Sequence, residues 1–256
     1  MDRIYVHESS SSELVSQPWL IVPDGEIKVI FPFAGDIRCS IGETERLHRD
    51  FRIIVSGMRN EPGWLSFPHG VGAVGVILKP EAAHRLFDFP MHEISNRTFD
   101  GEELFGGSAR VWQEALANRP RAEERVEQIQ IGLLNLLKRR DRSDPLLEHA
   151  VGRLRRDEGR VRIEDLAREL GWSRRQLDRR FQERIGVGPK SLAGILRFHA
   201  VYKLVRSEAA RSRNDRFFYD YYYDQSHFLK DFTRYAGRPP RGYRKSSDYG
   251  RFYVPG

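Results

Sequence analysis

Cysteine is almost absent from this chain, which has Cys39 as the one cysteine among its 256 residues. A single cysteine excludes an intramolecular disulfide, a zinc site built from several cysteines, and an iron–sulfur cluster. Ile37, Cys39 and Ile41 alternate with polar positions. This alternation predicts a strand in which Cys39 is a core thiol rather than a nucleophile.

Long apolar runs are also missing. No stretch approaches the roughly 18 apolar residues that a membrane span needs, and residues 1–15 lack the basic-then-apolar order of a secretion signal. We therefore expect a cytoplasmic protein with no membrane partner. Hydrophobic residues make up 39% of the chain and charged residues 31%, so the composition favours packed cores over disorder.

Positive charge is concentrated in one half of the chain. Residues 1–144 contain 18 Lys and Arg against 22 Asp and Glu, a net of −4, whereas residues 145–256 contain 25 against 14, a net of +11. The length exceeds that of a typical single domain, so two domains are expected. A basic domain is typical of nucleic-acid binding, although a solvated basic face or a patch for anionic membranes has the same composition.

The N-terminal half changes character near residue 80. Runs rich in β-branched and aromatic residues at 19–22, 27–33, 51–55 and 71–78 are separated by turn residues, which predicts a small antiparallel sheet. Pro80 begins a helical pattern, and further helices are predicted over 108–118 and 121–140. The second half is helical throughout, so the predicted fold class is α+β with an all-α C-terminal domain.

The C-terminal half contains an internal repeat with a spacing of 51 residues. In the first copy, an apolar helix face ends at Gly171, which supplies the positive φ of a tight turn, and Ser173 caps the next helix. This order of features is the helix-turn-helix pattern, whose second helix can enter a major groove. The residues that match across the two copies are Leu177 and Phe228, Phe181 and Phe232, Gly186 and Gly237, and Pro189 and Pro240.

Residues 145–256 resemble the double helix-turn-helix DNA-binding domain of AraC-type (AraC/XylS) transcription regulators. The resemblance lies in IEDLARELGWSRRQLDRRFQERIGVGPKSL and in YYDQSHFLKDFTRYAGRPPRGYR. It implies two recognition helices, joined by a long helix, that read two successive major grooves. By motif position, the base-reading residues it implies are Arg174, Arg175, Asp178 and Arg179 in the first unit and Gln225, Ser226, His227 and Lys230 in the second.

The basic residues that suit phosphate contact form a second group, although a purely solubilising role stays open for each of them. Its members are Arg180, Lys190, Arg197, Arg234, Arg241 and Arg244. Two of the base-reading candidates also have local alternatives. Asp178 can pair within its helix with Arg174 or Gln182, and His227 can cap or pack locally.

The N-terminal half resembles, more weakly, a sensor-like domain of some members of the same family, through VPDGEIKVIF and GVILKPEAAHRLF. We predict a sensing or oligomerisation domain over 1–140, a linker over 141–145 and the DNA-binding domain over 146–256. The expected partner is double-stranded DNA, with RNA polymerase and a small-molecule effector as further candidates. We expect no cofactor, no metal and no enzymatic activity, and either a monomer or a homodimer.

Two groups of N-terminal side chains have competing interpretations. An apolar effector pocket and an ordinary sheet core would both use the aromatic residues Trp19, Phe31, Phe33, Trp64 and Phe67. Scattered structural histidines are favoured over a metal site because no close ligand pair occurs among His48, His69, His84 and His92.

One position breaks the repeat. Tyr222 stands where the first unit has Gly171, and Phe218 stands where it has Ala167. We predict that Tyr222 occupies a left-handed turn at a cost of about 1–2 kcal/mol, and that glycine there stabilises the second unit. If the preceding helix instead runs through residue 222, the second recognition helix is misplaced.

Two other classes of function stay open at this point. One is a small-molecule-binding protein whose helix-turn-helix repeat has decayed, which Tyr222 suggests. The other is a DNA-alkylation repair accessory protein, because AraC-type units also occur beside repair modules. Repair of that kind needs a zinc-held cysteine cluster or an activated cysteine, and Cys39 alone supplies neither.

Overall fold

The structure is a computed structural model that describes residues 2–9, 18–49, 51–138, 143–206 and 217–240. Nine strands lie in the N-terminal half of these residues. They are β1 (Arg3–Ser9), β2 (Trp19–Ile21), β3 (Ile27–Ala34), β4 (Ile37–Ile41), β5 (Thr44–His48), β6 (Ile54–Ser56), β7 (Gly63–Ser66), β8 (Val71–Leu78) and β9 (Thr98–Asp100).

The strands form two antiparallel sheets. One has the order β1-β8-β3-β6-β9 and the other the order β2-β7-β4-β5. The sheets face each other across a small cluster in which Cys39 from one sheet packs with Val71 and Ala73 from the other. Every residue of β8 is buried, because helices cover the face of its sheet that points away from this cluster.

Short helices follow β8 in the N-terminal half. The α-helices are α1 (Pro80–Ala83), α2 (Gly101–Phe105), α3 (Gly107–Ala117) and α4 (Ala122–Lys138), and 3₁₀ helices span His84–Leu86 and Met91–Ile94. Ile129 and Leu133 of α4 are buried one turn apart. They lie in the same core as Val74 and Val76 of β8, so this apolar stripe holds α4 on the larger sheet.

The C-terminal half is helical, as predicted. Its described helices are α5 (Pro145–Arg156), α6 (Ile163–Glu169), α7 (Arg174–Arg184), α8 (Pro189–Arg206) and α9 (Gln225–Ala236), with a 3₁₀ helix over Phe217–Asp220. Asp144 caps α5 by accepting a hydrogen bond from the Leu147 amide at 3.2 Å, and Pro145 occupies the first turn, where no amide donor is needed.

The two halves share one hydrophobic core. Met91 and Ile94 of the N-terminal half belong to the same buried cluster as Phe181 and Ile185 of the C-terminal half. Polar contacts cross the same boundary, since the Ser95 hydroxyl donates to the Gly186 carbonyl at 2.7 Å. The predicted division of the chain at 141–145 stays a prediction, because residues 139–142 lie outside the described part.

The α+β fold class is confirmed, but the sheet region is larger than the sequence predicted. Strands over 27–34 and 71–78 lie where they were expected. β1, β5, β7 and β9 were missed, and the single small sheet is in fact two. Among the described residues, no helix is long and apolar enough to cross a membrane.

Candidate nucleic-acid interface and ligand cavity

The first helix-turn-helix unit consists of α6, a glycine turn and α7. Gly171 has φ +66°, a backbone conformation that L side chains rarely adopt. The Ser173 hydroxyl accepts from the Gln176 amide at 3.2 Å, and the Gln176 side chain accepts from the Ser173 amide at 2.8 Å. This capping box begins α7 at Arg174, and the full burial of Leu177 and Phe181 turns the opposite helix face outward.

The outward face of α7 contains both neutralised and unpaired charges. Arg174 donates to Asp178 at 3.1 Å and to Glu164 at 3.3 Å, so the intrahelical pairing considered for Asp178 is the arrangement observed. Arg175 and Arg179 are exposed, and neither makes an ion pair with a described carboxylate. These two guanidinium groups are the ones on α7 that are available to an external acceptor.

Arg180 points towards the protein rather than away from it. Its guanidinium lies 2.9 Å from the buried Asp144 carboxylate and 4.7 Å from the Trp172 ring centroid. Arg184 reaches the same carboxylate at 3.5 Å. Both arginines therefore connect α7 to the start of α5, which gives Arg180 a structural contact at a position proposed for phosphate.

The second unit repeats the geometry of the first. α9 begins at Gln225, 51 residues after the start of α7 at Arg174, which matches the repeat found in the sequence. Asp224 caps it by accepting from the His227 amide at 2.7 Å, and Gly237 ends it with φ +76°. The sequence-predicted residues on its outward side are all exposed, namely Gln225, Ser226, His227 and Lys230.

The prediction for Tyr222 was wrong. Among the described residues, positive φ occurs outside glycine at Phe51, Asn96 and Glu158 only. Tyr222 is 3% exposed, and its ring packs against Phe228 with centroids 5.5 Å apart. The 3₁₀ helix before it ends at Asp220, the same register position as Glu169 at the end of α6, but in the second unit the chain enters α9 without a left-handed residue and Tyr222 fills the core. The side chain of Phe218 lies outside the described residues.

The other phosphate candidates occupy different environments. Lys190 and Arg234 are exposed and make no ion pair with a described carboxylate. Arg197 donates to the Gly159 carbonyl at 2.7 Å, so it fastens α8 to the loop after α5. Arg241 and Arg244 lie outside the described residues.

A cavity of about 390 Å³ lies between the two sheets and α8. Its apolar part includes Ile37, Leu65 and Phe67, and Trp19 packs edge-on against Phe67 with centroids 5.1 Å apart. Of the five aromatic residues considered for a pocket, only Trp19 and Phe67 line the cavity. Phe31 is fully buried in the core, Trp64 is 43% exposed, and Phe33 lies under the Arg125 guanidinium.

Charged side chains occupy another part of the same wall. Lys28 pairs with Asp24, and Arg3 donates to Glu26 at 2.6 Å. Burial raises the pKa of Glu26, and the nearby Asp24 raises it further. Burial acts in the same direction on Asp24, but Lys28 and other nearby cations leave the pKa of Asp24 below its usual value.

Two cations of the cavity wall have no ion-pair partner among the described residues. They are Arg59, whose pKa is lowered by burial, and Lys203 of α8. His199, also of α8, lines the cavity, and burial lowers its pKa to about 4. It is therefore neutral at neutral pH, and the wall carries four cationic side chains (Arg3, Lys28, Arg59, Lys203) against two carboxylates (Asp24, Glu26).

His48, His84 and Cys39 make contacts within the protein. His48 shares a hydrogen bond of 2.6 Å with Asp100, and His84 lies 3.3 Å from Arg184. In the part of the chain that the structure describes, no group of three or more His, Cys, Asp or Glu could hold a metal ion. Cys39 is buried, and burial raises the pKa of its thiol to about 12.

Comparison with protein families gives one match in each half of the chain. Residues 166–246 match the family described as a helix-turn-helix domain. The chain carries an AraC-type helix-turn-helix domain. Residues 2–100 match a domain of unknown function (DUF6597), so the two sheets precede the AraC-type domain. A search of the curated proteins finds no match.

Solved structures with a similar fold include ToxT from Vibrio cholerae. It is 12% identical, with a TM-score of 0.51, and the alignment covers 94% of this chain and 97% of ToxT. ToxT from Vibrio cholerae O395 bound to (E)-4-(8-methylnaphthalen-1-yl)but-3-enoic acid is 13% identical, with a TM-score of 0.50 and coverage of 94% and 97%. At these identities the similarity shows a common fold alone.

A third solved structure is the AraC-like transcriptional activator CuxR. It is 18% identical, with a TM-score of 0.29, and covers 78% of this chain and 73% of CuxR.

Sequence reasoning missed most of the charged cavity wall. Asp24 and Lys28 belong to the stretch DGEIK, in which the carboxylates directly precede β3 and Lys28 interrupts its apolar residues, and this cluster of charges is a signal in the sequence. Arg59, His199 and Tyr202 carry no such signal, because they come from segments far apart in the chain.

Proposed function

We propose that the protein is a transcription regulator that binds double-stranded DNA and reads two successive major grooves with α7 and α9. One observation carries this proposal: two capped helices start 51 residues apart, one on either side of α8, and each turns polar or basic residues outward. The 18 residues of α8 span about 27 Å. With a recognition helix packed at each end, the separation suits the roughly 34 Å between successive major-groove faces.

The surroundings of each side chain support a division of roles within this interface. Arg175 and Arg179 are exposed and unpaired, so they suit bidentate contacts to guanine. On α9, the exposed Gln225, Ser226 and Lys230 take the corresponding positions. His227 is also exposed, but its ring packs on Tyr222 and its Nε2 lies 3.6 Å from Asp231, so it is a weaker candidate. Lys190 and Arg234 suit phosphate contact, whereas Arg174 and Asp178 already neutralise each other and are weaker candidates as readers.

Selection from random duplexes with the full chain, followed by sequencing, tests this proposal. We expect an enriched sequence with two half-sites whose centres lie about 10 base pairs apart, because consecutive major-groove faces recur once per helical turn. Arg175→Ala should relax the preference within one half-site, and Lys230→Ala within the other. No enrichment, or enrichment of a single half-site, would contradict the two-groove arrangement.

We also propose that the N-terminal cavity binds a small apolar molecule with an anionic group. Its volume of about 390 Å³ is within the usual range for ligand sites. Its wall combines aromatic side chains with the unpaired Arg59 and Lys203. ToxT, which shares the fold, has been solved with a bound butenoic acid that carries a naphthalene group, and this chemistry agrees with the wall described above.

That same acid, (E)-4-(8-methylnaphthalen-1-yl)but-3-enoic acid, is a suitable first probe. A hundredfold excess over Kd should stabilise the folded chain by about 2.7 kcal/mol. Arg59→Gln should weaken binding about tenfold, whereas the matched control Arg52→Gln, which removes an exposed arginine outside the cavity wall, should not. Equal binding of the acid and its uncharged amide would contradict the anionic assignment.

A further inference from the structure

The two helix-turn-helix units differ in what supports them on the N-terminal half. α7 packs beside the 3₁₀ helix Met91–Ile94, and the loop after it is held by the hydrogen bond from Ser95 to Gly186 at 2.7 Å. These contacts lie away from the cavity. No residue of 143–198 lines the cavity, so the first unit does not touch the space that a ligand would occupy.

The second unit shares a wall with the cavity. Along β2, Trp19 and Ile21 line the cavity, whereas the residue between them, Leu20, is buried in the core of the second unit. This follows from the alternation of side chains along a strand. Val22 belongs to both the cavity wall and that core, so a single strand separates a cavity occupant from the second unit.

α8 forms the other part of this wall. Tyr202 lines the cavity, and its ring centroid is 5.4 Å from that of Phe198 and 6.2 Å from that of Phe232 in α9. Phe198 in turn lies 5.2 Å from Tyr235 of α9. One layer of aromatic side chains therefore lies between the cavity and the second recognition helix.

We propose that an occupant of the cavity regulates the second helix-turn-helix unit alone, with Tyr202 as the positioning residue that transmits its effect. An occupant adds packing contacts to Tyr202 and Val22 and restricts their rotamers. α9 rests on these same side chains, so its orientation changes with occupancy. The first unit packs on the 3₁₀ helix Met91–Ile94, on Ser95 and on Leu192 and Ala193 near the start of α8, and none of these residues lines the cavity. The inference rests on the proposed function, since it assumes that α7 and α9 read separate half-sites.

A substitution that fills the cavity tests this without knowledge of the natural ligand. Ala73 lies on β8 and lines the cavity, so Ala73→Phe places a phenyl ring inside the cavity. Affinity of the full chain is measured on the selected operator and on two operators with one half-site scrambled each. We expect a change of about fivefold or more, within the usual range of allosteric coupling, wherever the α9 half-site is intact. Where only the α7 half-site is intact, the affinity should stay the same.

A Tyr202 variant tests whether this side chain transmits the effect from the cavity to α9. In a Tyr202→Leu background, Ala73→Phe should no longer change the affinity for the α9 half-site. If the Ala73→Phe variant does not fold, Cys39→Leu replaces it in the test. Cys39 lines the same cavity from the other sheet, and leucine is the larger side chain.

The outcomes separate the inference from the proposed function. A chain that selects no operator refutes the proposed function and this inference with it. A chain that selects an operator refutes the inference alone if filling the cavity affects both half-sites equally, affects only the α7 half-site, or affects neither. If the effect persists in the Tyr202→Leu background, Tyr202 does not transmit it.

Discussion

Tyr222 offers a direct test of how the second unit is built. Its ring is buried against Phe228 and His227, with centroids 5.5 Å and 5.1 Å away, and the Arg197 guanidinium lies 5.9 Å from its centroid. Its hydroxyl is buried and has no hydrogen-bond partner among the described residues. The repeat in the sequence predicts that glycine at this position stabilises the protein, whereas the packing predicts the opposite.

The size of the effect follows from what each substitution removes. Tyr222→Ala deletes a buried aromatic ring, which typically costs about 3–5 kcal/mol of unfolding free energy. Tyr222→Gly should cost about as much, with a further penalty for the added backbone freedom. Tyr222→Phe keeps the ring and removes an unsatisfied hydroxyl, whose burial costs about 1–3 kcal/mol. It should therefore leave the stability unchanged or raise it.

Urea unfolding of the full-length variants, followed by both circular dichroism and tyrosine and tryptophan fluorescence, measures these differences. The three substitutions should rank in stability as Phe, then Ala, then Gly, with Phe at or above the parent chain. A Tyr222→Gly variant more stable than the parent would refute the packing argument and restore the left-handed turn. A strong loss in Tyr222→Phe would show that the hydroxyl has a partner.

Three further outcomes are expected. Arg175→Ala should lose about 1–3 kcal/mol of discrimination between cognate and scrambled DNA, whereas Lys190→Ala should weaken both alike, and a competition binding assay on the two duplexes separates these cases. If about 6 phosphates are contacted, log affinity for DNA should fall with log salt at a slope near −5, and a flat salt titration would contradict an electrostatic interface. Since the folded pKa of His199 is about 4 and the unfolded value is about 6.5, the unfolded chain binds the extra proton below pH 6.5. Stability should therefore fall by up to about 3 kcal/mol as the pH drops from 6.5 to 4, and His199→Gln should remove this part of the pH dependence in urea titrations.

Local sequence determined the elements whose signals lie within a few residues of one another. The start of α7 is encoded by Gly171, Ser173 and Gln176, which make the turn and the capping box without help from the rest of the chain. The 51-residue repeat placed α9 because Asp224 caps it in the same local way. β8 was predicted because its own apolar residues suffice to identify a buried strand.

Tertiary structure decided the features that depend on contacts between distant segments. Arg180 looks like any exposed arginine in the sequence, but the capping carboxylate of Asp144, 36 residues away, turns it inward. The sequence placed Tyr222 in register with a glycine, yet the buried space beside Phe228 decided its conformation. The cavity is the extreme case, since Arg59 comes from the loop between β6 and β7 and Tyr202 from α8. Its shape and charge arise only when the two sheets close on that helix, because no local pattern records which side chains will face the same space.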